Sequence, residues 1–293
     1  KLIVNSGNGS AGPVVDLLID KLAQADAPIE VTKLHHAPDG SFPNGIPNPM
    51  IEANRVATQK AVLENSADLG IAFDGDFDRC FLFDERGEFI DGSYIVGMLA
   101  QAFLNKYPSE SIVYDPRVIY NTEAVIEEHN GKAVISKSGH SFIKQVMRDS
   151  GAIYGGEMSA HHYFRDFFYC DSGMIPWLLT IELLSITGKT LSELVTGYIA
   201  AYPSSGELNF RLTTHDAAAI ISAIEAKFSN EQPIKSTLDG LSLNFGDWRF
   251  NLRASNTEPL IRLNIESRGD QPLLAAKTQE IQQWLATQGA VPA

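Results

Sequence analysis

The chain has 293 residues, with 23 Lys and Arg against 36 Asp and Glu, a formal net charge of −13. At about 100–200 residues per domain this length predicts two or three domains, and the apolar fraction of 44% excludes a disordered chain. The acidic balance argues against binding to nucleic acid, and the lack of any apolar run of about 18 residues argues against a membrane span.

Residues 1–92 are predicted to form one α/β domain. Strands are predicted at 1–5, 31–34 and 69–73, helices after Gly12-Pro13 and at 52–66, and a hairpin over 80–83 and 89–90. The next stretch, 93–203, repeats the pattern, with strands at 112–114, 133–136 and 152–154 and helices at 94–107, 118–129, 140–149, 175–187 and 191–201. Two successive series of alternating strands and helices favour two tandem α/β domains with mostly parallel sheets.

The last part of the chain, 204–293, has a different pattern. Strands at 207–212, 241–245, 248–252 and 260–266 and helices at 216–228 and 272–285 predict a smaller, more antiparallel α+β domain. The whole chain carries only two cysteines, Cys80 and Cys170. Two cysteines are too few for a disulfide framework and are typical of reduced thiols in a cytoplasmic protein.

A Gly-x-Gly-x-x-Gly pattern lies at Gly7, Gly9 and Gly12, between the first strand and the first helix. This is the context of a dinucleotide fingerprint, in which the glycines let the backbone approach a pyrophosphate. Such sites also need a carboxylate at the end of the second strand to hold the ribose, but that strand here runs into His35 and His36. We therefore interpret the glycines as a tight structural turn.

Three carboxylates follow the strand 69–73 within five residues, at Asp74, Asp76 and Asp78, and Arg79 comes next. Carboxylates this close repel one another, and a hard divalent cation with oxygen ligands would relieve the repulsion. The calcium-loop pattern is not met, because Arg79 stands where its glycine belongs. The run therefore predicts Mg²⁺ in phosphoryl-transfer chemistry, with Arg79 pairing with the phosphate. The alternative is a solvated acidic turn.

A glycine-rich segment, 155–162, follows the strand 152–154. Glu157, Ser159 and His161 offer an acceptor, a hydroxyl that both donates and accepts, and a titratable donor, which together suit the vicinal hydroxyls of a sugar. Two adjacent histidines without cysteines or a second histidine pair are weak support for zinc. We interpret His161 as functional and His162 as packed in the core.

A polar loop between two predicted strands contains Arg253, Ser255, Asn256 and Thr257. A guanidinium, two hydroxyls, an amide and free backbone N–H groups can together bind a phosphate, although a plain polar hairpin loop fits the pattern equally well. Two strand-to-helix turns, at 115–117 and 137–140, also carry cations that could face an anionic ligand or cap their helices.

These loops, in this order, resemble the α-D-phosphohexomutase superfamily, and within it the bacterial phosphomannomutase/phosphoglucomutase branch. The resemblance extends over the whole chain and is most specific at 74–79, 156–161 and 253–257. It implies Mg²⁺ bound by Asp74, Asp76 and Asp78, and a sugar contacted by Glu157 and Ser159 with His161 nearby. It also implies that the phosphate that is not transferred is held by Arg253, Ser255, Asn256 and Thr257, and that the basic catalytic residues are Arg79, Arg117 and His140.

The activity that this resemblance implies is the interconversion of mannose 6-phosphate and mannose 1-phosphate through a bisphosphate, so the partner is a phosphorylated hexose. Members of the superfamily have four domains, and a serine of the first domain carries the transferred phosphoryl group. No loop of that type occurs in this sequence, which opens in a predicted strand at Lys1. We therefore expect the chain to correspond to domains two to four, to need the missing N-terminal domain as a partner, and to be inactive alone.

Two other functions are compatible with the sequence. A haloacid-dehalogenase-like phosphatase also places Asp-x-Asp after an apolar strand, and Asp74 would then be the nucleophile, although Asp78 stands where that family has Thr or Val. A non-catalytic phosphosugar-binding protein would need no phosphoserine at all.

Overall fold

The computed structural model describes residues 1–213, 216–255 and 259–293. Within these residues the strands form three sheets, of five, five and six strands. No helix in the described ranges is long and apolar enough to cross a bilayer.

The first sheet contains the acidic run at one of its edges. Its elements are β1 (Leu2–Asn5), α1 (Ala11–Gln24), β2 (Val31–Leu34), α2 (Val56–Asn65), β3 (Leu69–Phe73), β4 (Cys80–Phe83) and β5 (Phe89–Ile90). The strand order is β2-β1-β3-β4-β5; β1 is parallel to β2 and β3, and β4 and β5 add an antiparallel hairpin. Strand β3 is buried along its whole length, as expected where both faces of a sheet are covered. It therefore delivers the acidic run to the carboxyl edge of the sheet.

The second sheet repeats this plan. Its elements are α3 (Gly92–Lys106), β6 (Ser111–Tyr114), α4 (Tyr120–Glu128), β7 (Lys132–Ile135), α5 (His140–Ser150), β8 (Tyr154–Gly156), β9 (His162–Phe164), β10 (Cys170–Asp171), α6 (Met174–Thr187) and α7 (Leu191–Ala201). The strand order is β10-β9-β8-β6-β7, and β6 is parallel to β7 and β8. Strands β9 and β10 are antiparallel and too short, at three and two residues, for a hydrophobic period to reveal them.

The third sheet, with two helices, is called the C-terminal unit below. Its elements are β11 (Ser204–Leu212), α8 (Ala217–Phe228), β12 (Ile234–Ser236), β13 (Leu241–Asn244), β14 (Trp248–Ala254), β15 (Leu260–Ser267), α9 (Gln271–Thr287) and β16 (Ala290–Pro292). The strand order is β12-β13-β14-β15-β11-β16, and every pairing is antiparallel. Strand β11 begins at Ser204, three residues before the strand predicted at 207–212, and contains a register shift before Glu207.

The fold class predicted from the sequence is confirmed. In each of the first two sheets four of the five strands run in one direction, and the C-terminal unit is antiparallel with two helices. One hydrophobic core joins the first two sheets, since Leu69, Leu99 and Ile112 belong to the same buried cluster. The domain boundary placed at residue 92 stays a prediction, because this core continues across it.

Candidate active site

The acidic run lies between β3 and β4 and begins with a buried carboxylate. Asp74 is only 2% exposed, and it accepts hydrogen bonds from the Arg79 backbone N–H at 3.2 Å and from Arg79 Nε at 2.6 Å. Burial raises the pKa of Asp74 to about 6, although the Arg79 guanidinium opposes the shift. Asp74 is thus a buried carboxylate held in place by Arg79, five residues along the chain.

The three aspartates converge as expected for a cation site. One carboxylate oxygen from each of Asp74, Asp76 and Asp78 lies within 4.8 Å of the others. Asp76 is exposed, whereas Asp78 Oδ1 is enclosed and makes no hydrogen bond to the described residues. An enclosed carboxylate oxygen that makes no such hydrogen bond, although His161 Nε2 lies 3.5 Å away, fits a divalent cation when two further carboxylates are beside it. The three aspartates can therefore hold a metal ion.

The glycine pattern near the N-terminus supports this acidic run. Both the backbone N–H and the hydroxyl of Ser10 donate to the Gly75 carbonyl, at 2.9 and 3.0 Å. A Cβ atom placed on Gly9 would lie 2.5 Å from that carbonyl oxygen, and one on Gly12 would lie 2.0 Å from the His36 carbonyl oxygen. The glycines are thus needed for close packing of protein backbone, which confirms their interpretation as a structural turn.

The second predicted loop, 156–161, is built around a buried acid. Glu157 Oε1 accepts a hydrogen bond from the Gly139 N–H at 2.8 Å, and Oε2 accepts one from the Tyr163 hydroxyl at 2.6 Å. Burial, followed by the charge of Glu157, raises the pKa of Tyr163 and keeps its hydroxyl a donor. Both oxygens of Glu157 therefore hold the loop in shape, and within the described residues Ser159 is the predicted sugar contact that reaches the cavity described below.

A chain of polar side chains connects this loop to the acidic run. His161 Nε2 lies 3.5 Å from Asp78 Oδ1, His161 Nδ1 lies 3.0 Å from Ser159 Oγ, and Arg117 Nη2 donates to Ser159 Oγ at 3.2 Å. The His161 imidazole lowers the pKa of Asp78. The backbone joins the same two segments, because the Cys80 N–H donates to the Ala160 carbonyl at 3.1 Å. The sequence predicted the members of this chain, and the sheets bring them together.

The two adjacent histidines separate as predicted. His162 is fully buried in β9, and its Nδ1 lies 2.7 Å from the Tyr154 hydroxyl. Burial lowers the pKa of His162 to about 3, so its ring is neutral. His161 is partly exposed and faces Asp78, as its functional interpretation requires.

Arg117 lines the cavity described below, whereas His140 does not. Arg117 is 4% exposed, donates twice to the Asp115 carboxylate at 3.0 and 2.8 Å, and lines the cavity. The His140 side chain is exposed and does not line the cavity, so its catalytic role stays a prediction. The preceding Gly139 donates its N–H to Glu157, and α5 begins at His140.

The predicted phosphate loop of the C-terminal unit is described only in part. Arg253 Nη2 donates to Glu207 Oε2 at 3.0 Å, and its Nε is buried without a hydrogen-bond partner in the described residues. The Ser255 N–H donates to the Leu260 carbonyl at 2.8 Å. Asn256 and Thr257, also predicted for this site, lie outside the described residues.

Glu207 is a site residue that sequence analysis missed. Besides Arg253, its carboxylate lies 3.8 Å from Arg117 Nη1 and 3.6 Å from Arg262 Nη1. One acid thus draws together guanidinium groups from two sheets. The available signal was the alternation of Glu207, Asn209 and Arg211 along the strand predicted at 207–212, which puts the three side chains on one face.

A cavity of about 920 Å³ lies where the three sheets meet, within the size range of ligand pockets. The predicted residues that line it are Arg79, Arg117 and Ser159, and the charged lining residues not predicted are Glu52, Arg55, Asp91, Glu207, Arg211 and Arg262. Arginines lining one cavity from all three sheets favour an anionic ligand.

Comparison with known families identifies the family of the chain. Three family models match successive parts of the chain: phosphoglucomutase/phosphomannomutase alpha/beta/alpha domain II at 1–87, alpha/beta/alpha domain III at 91–202, and the C-terminal domain at 207–283. The chain belongs to the phosphoglucomutase/phosphomannomutase family. This membership confirms the resemblance seen in the sequence and argues against a haloacid-dehalogenase-like phosphatase.

Individual members of the phosphoglucomutase/phosphomannomutase family show how much of the chain is shared. A phosphomannomutase of Salmonella montevideo is 60% identical over 97% of this chain, which spans 62% of that protein. The crystal structure of a family protein from Burkholderia thailandensis is 29% identical with a TM-score of 0.84, over 98% of this chain and 60% of that one. The Aspergillus fumigatus N-acetylphosphoglucosamine mutase, described in complex with GlcNAc-6P and magnesium, shares the fold at 15% identity and a TM-score of 0.65, over 96% of this chain and 64% of that one.

Proposed function

We propose that this chain provides the metal, sugar and phosphate sites of a phosphomannomutase, which interconverts mannose 6-phosphate and mannose 1-phosphate through a bisphosphate. The observation that carries the proposal is the single cavity in which Arg79, Ser159 and the C-terminal arginines meet beside the acidic run. The name of the Salmonella relative supports mannose as the sugar.

The cation of the proposal is Mg²⁺, held by Asp74, Asp76 and Asp78. Carboxylate oxygens are the ligands that Mg²⁺ prefers, and the magnesium in the Aspergillus structure supports this choice. When bound, Mg²⁺ would neutralise charge that develops on a transferring phosphoryl group. Arg79 adds a fixed guanidinium there, because Asp74 binds its Nε and leaves its other N–H groups for phosphate oxygens.

The sugar hydroxyls of the proposal contact Ser159, which His161 and Arg117 orient. The Ser159 hydroxyl lies at the cavity surface and has one polar neighbour on each side, so its direction is set before a ligand binds. Glu157 supports this arrangement from within the protein through the Gly139 N–H and the Tyr163 hydroxyl. A direct contact between Glu157 and the sugar stays a prediction.

The phosphate that is not transferred would lie against the C-terminal unit. Arg253 and Arg262 are drawn to Glu207, and Arg211 is exposed on the same strand as Glu207. The roles of Ser255, Asn256 and Thr257 stay predictions. We expect that the chain binds its ligand but needs a phosphoserine from another domain for turnover; mutase turnover by the pure chain would contradict that expectation.

A calorimetric titration with mannose 1-phosphate in the presence of Mg²⁺ tests the ligand. Arg253→Ala and Arg211→Ala should each weaken binding about tenfold, because each removes a charged donor worth about 1.5–3 kcal/mol. Arg148→Ala removes an exposed arginine of α5 outside the cavity and should leave the affinity unchanged. Equal binding by all four proteins would overturn the proposed phosphate site.

A titration with Mg²⁺ tests the metal site. Asp76→Asn removes an exposed carboxylate and should weaken Mg²⁺ binding about tenfold or more, since one of three charged ligands becomes neutral. The matched control is Asp20→Asn, which neutralises an exposed aspartate of α1. Identical Mg²⁺ affinities of the two variants would show that the acidic run does not bind the ion.

A further inference from the structure

Arg55 lies on the cavity wall, just before α2, in a fixed orientation. Its Nε donates to the Pro49 carbonyl at 2.8 Å and its Nη2 donates to the Met50 carbonyl at 2.9 Å. The guanidinium carbon lies 3.7 Å from the centre of the Phe89 ring, a cation–π contact. Two carbonyls and an aromatic face therefore hold the guanidinium before any ligand arrives.

The charge of Arg55 has no acidic partner within the described part of the chain. No carboxylate there lies within ion-pair distance of it, and its Nη1 makes no hydrogen bond to a described residue. Glu52 and Asp91 also line the cavity and favour the charged form, but burial outweighs them and lowers the pKa of Arg55. A half-buried guanidinium that has a spare N–H donor and no carboxylate within ion-pair distance forms an anion-binding site, called the anion site below.

Arg55 and Arg79 share one wall of the cavity. Arg79 lies over Phe81 at 6.0 Å, and the Phe81 and Phe89 ring centres are 6.3 Å apart. Each ring of this aromatic pair thus carries a guanidinium, and both arginines line the cavity. Two fixed guanidinium groups that line one cavity match a doubly charged anion such as a phosphate monoester better than a carboxylate.

We propose that Arg55 binds a phosphate group of the sugar ligand, as a further phosphate-binding residue beside Arg79 and the C-terminal arginines. The identity of the sugar in this inference rests on the proposed function, whereas the anion site itself rests on the contacts of Arg55. Arg55 is a binding residue here because it lines the proposed ligand cavity and has one guanidinium N–H group, Nη1, without a hydrogen bond to a described residue.

Calorimetry with two probes, mannose 1-phosphate and inorganic phosphate, tests the inference. Arg55→Gln removes the charge but keeps a side-chain amide near the Pro49 and Met50 carbonyls, and should weaken binding of both probes about tenfold or more. Arg55→Lys keeps the positive charge but lacks the paired N–H donors of a guanidinium, so it should retain part of the affinity that Arg55→Gln loses.

A matched control separates anion binding by Arg55 from its second role, which is to hold the loop 46–50 in place through hydrogen bonds. Asn54 Nδ2 donates to the carbonyls of Ile46 and Asn48, at 3.0 and 3.1 Å, so Asn54→Ala loosens the same loop without removing a cation. We expect Asn54→Ala to leave phosphate binding within about threefold. A loss equal to that of Arg55→Gln would overturn the proposal, because loop position alone would then explain the effect.

The two probes keep the outcomes distinct. If Arg55→Gln binds both probes as well as the unaltered chain does, the inference fails and the proposed function stands. If inorganic phosphate binds through Arg55 but mannose 1-phosphate binds no more tightly than inorganic phosphate, the anion site is confirmed and the assignment of the sugar is wrong. If the unaltered chain binds neither probe, both are overturned.

Discussion

The two α/β regions and the C-terminal unit are built into the molecule in different ways. The first two sheets share one hydrophobic core, in which Leu69 and Ile112 belong to one buried cluster with Leu99 of α3. The C-terminal unit has its own core, which includes Phe250 and Leu263. Apolar burial therefore makes the first two sheets a single body, while the third is stable around a separate centre.

A buried polar joint connects the C-terminal unit to the second sheet. The Glu266 carboxylate accepts hydrogen bonds from Arg249 Nη1 at 2.7 Å and from the Ile119 and Tyr120 N–H groups at 2.7 and 2.9 Å, at the N-terminus of α4. Arg249 also donates to the Arg117 carbonyl at 3.0 Å. The comparison shows two ways of joining sheets. Apolar burial between the first two sheets is non-directional, whereas the hydrogen bonds of the polar joint fix the position of the Arg117 backbone, and Arg117 lines the cavity.

Breaking the joint should have the largest effect on stability. Arg249→Met leaves Glu266, which is fully buried, without its guanidinium, and should lower the free energy of unfolding of the C-terminal unit by about 3–5 kcal/mol. Urea unfolding measures the loss. The double variant Arg249→Met with Glu266→Gln should recover part of it, because the unpaired charge is then gone. A loss below about 1 kcal/mol would show that the joint contributes little.

Two equal truncations test whether the cores are separate. Leu99→Ala and Leu263→Ala each remove a fully buried leucine and should cost about 2–5 kcal/mol. Hydrogen exchange should show faster opening of β3 and β6 together in the first variant, and of β14 and β15 alone in the second. Faster exchange throughout the chain in both variants would contradict the distinction.

A pH dependence of stability is expected in the shared α/β body. The pKa of His162 is lowered from 6.5 to about 3 by burial, so the unfolded chain binds a proton below pH 6.5 that the folded chain does not. Stability should therefore fall by about 2 kcal/mol between pH 7 and pH 5 on account of this residue. His162→Asn, which keeps an acceptor for the Tyr154 hydroxyl, should remove that loss in urea unfolding.

The pH effect of His162 is measured as the difference in unfolding free energy between the unaltered chain and His162→Asn at each pH. Asp74 acts with the opposite sign, because its pKa is raised to about 6 by burial and the folded chain binds the extra proton as the pH falls below 6. The change of unfolding free energy with pH in the unaltered chain alone therefore contains opposing contributions from His162 and Asp74. Parallel slopes for the unaltered chain and His162→Asn would show that His162 is not the group responsible.

Features that depend on neighbours in the chain could be predicted from the sequence. The acidic run is an example, since Asp74 and Arg79 are five residues apart and pair with each other. The pairing of Arg79 with the loop at His161 could not be predicted, because it depends on how the second sheet packs on the first. Glu207 and Arg55 were missed for the same reason: each belongs to a segment whose local pattern is that of an ordinary surface strand or helix.

The sequence by itself determined most of the order of strands and helices, the presence of the acidic run, and the family. These rest on hydrophobic periods and on contiguous residue types, which persist in any packing of the chain. Only the tertiary structure decided that Arg55, Ser159 and Arg211 line one cavity and that His140 stays outside it. Those positions follow from the burial of apolar faces and the polar joint, which bring together residues far apart in the chain.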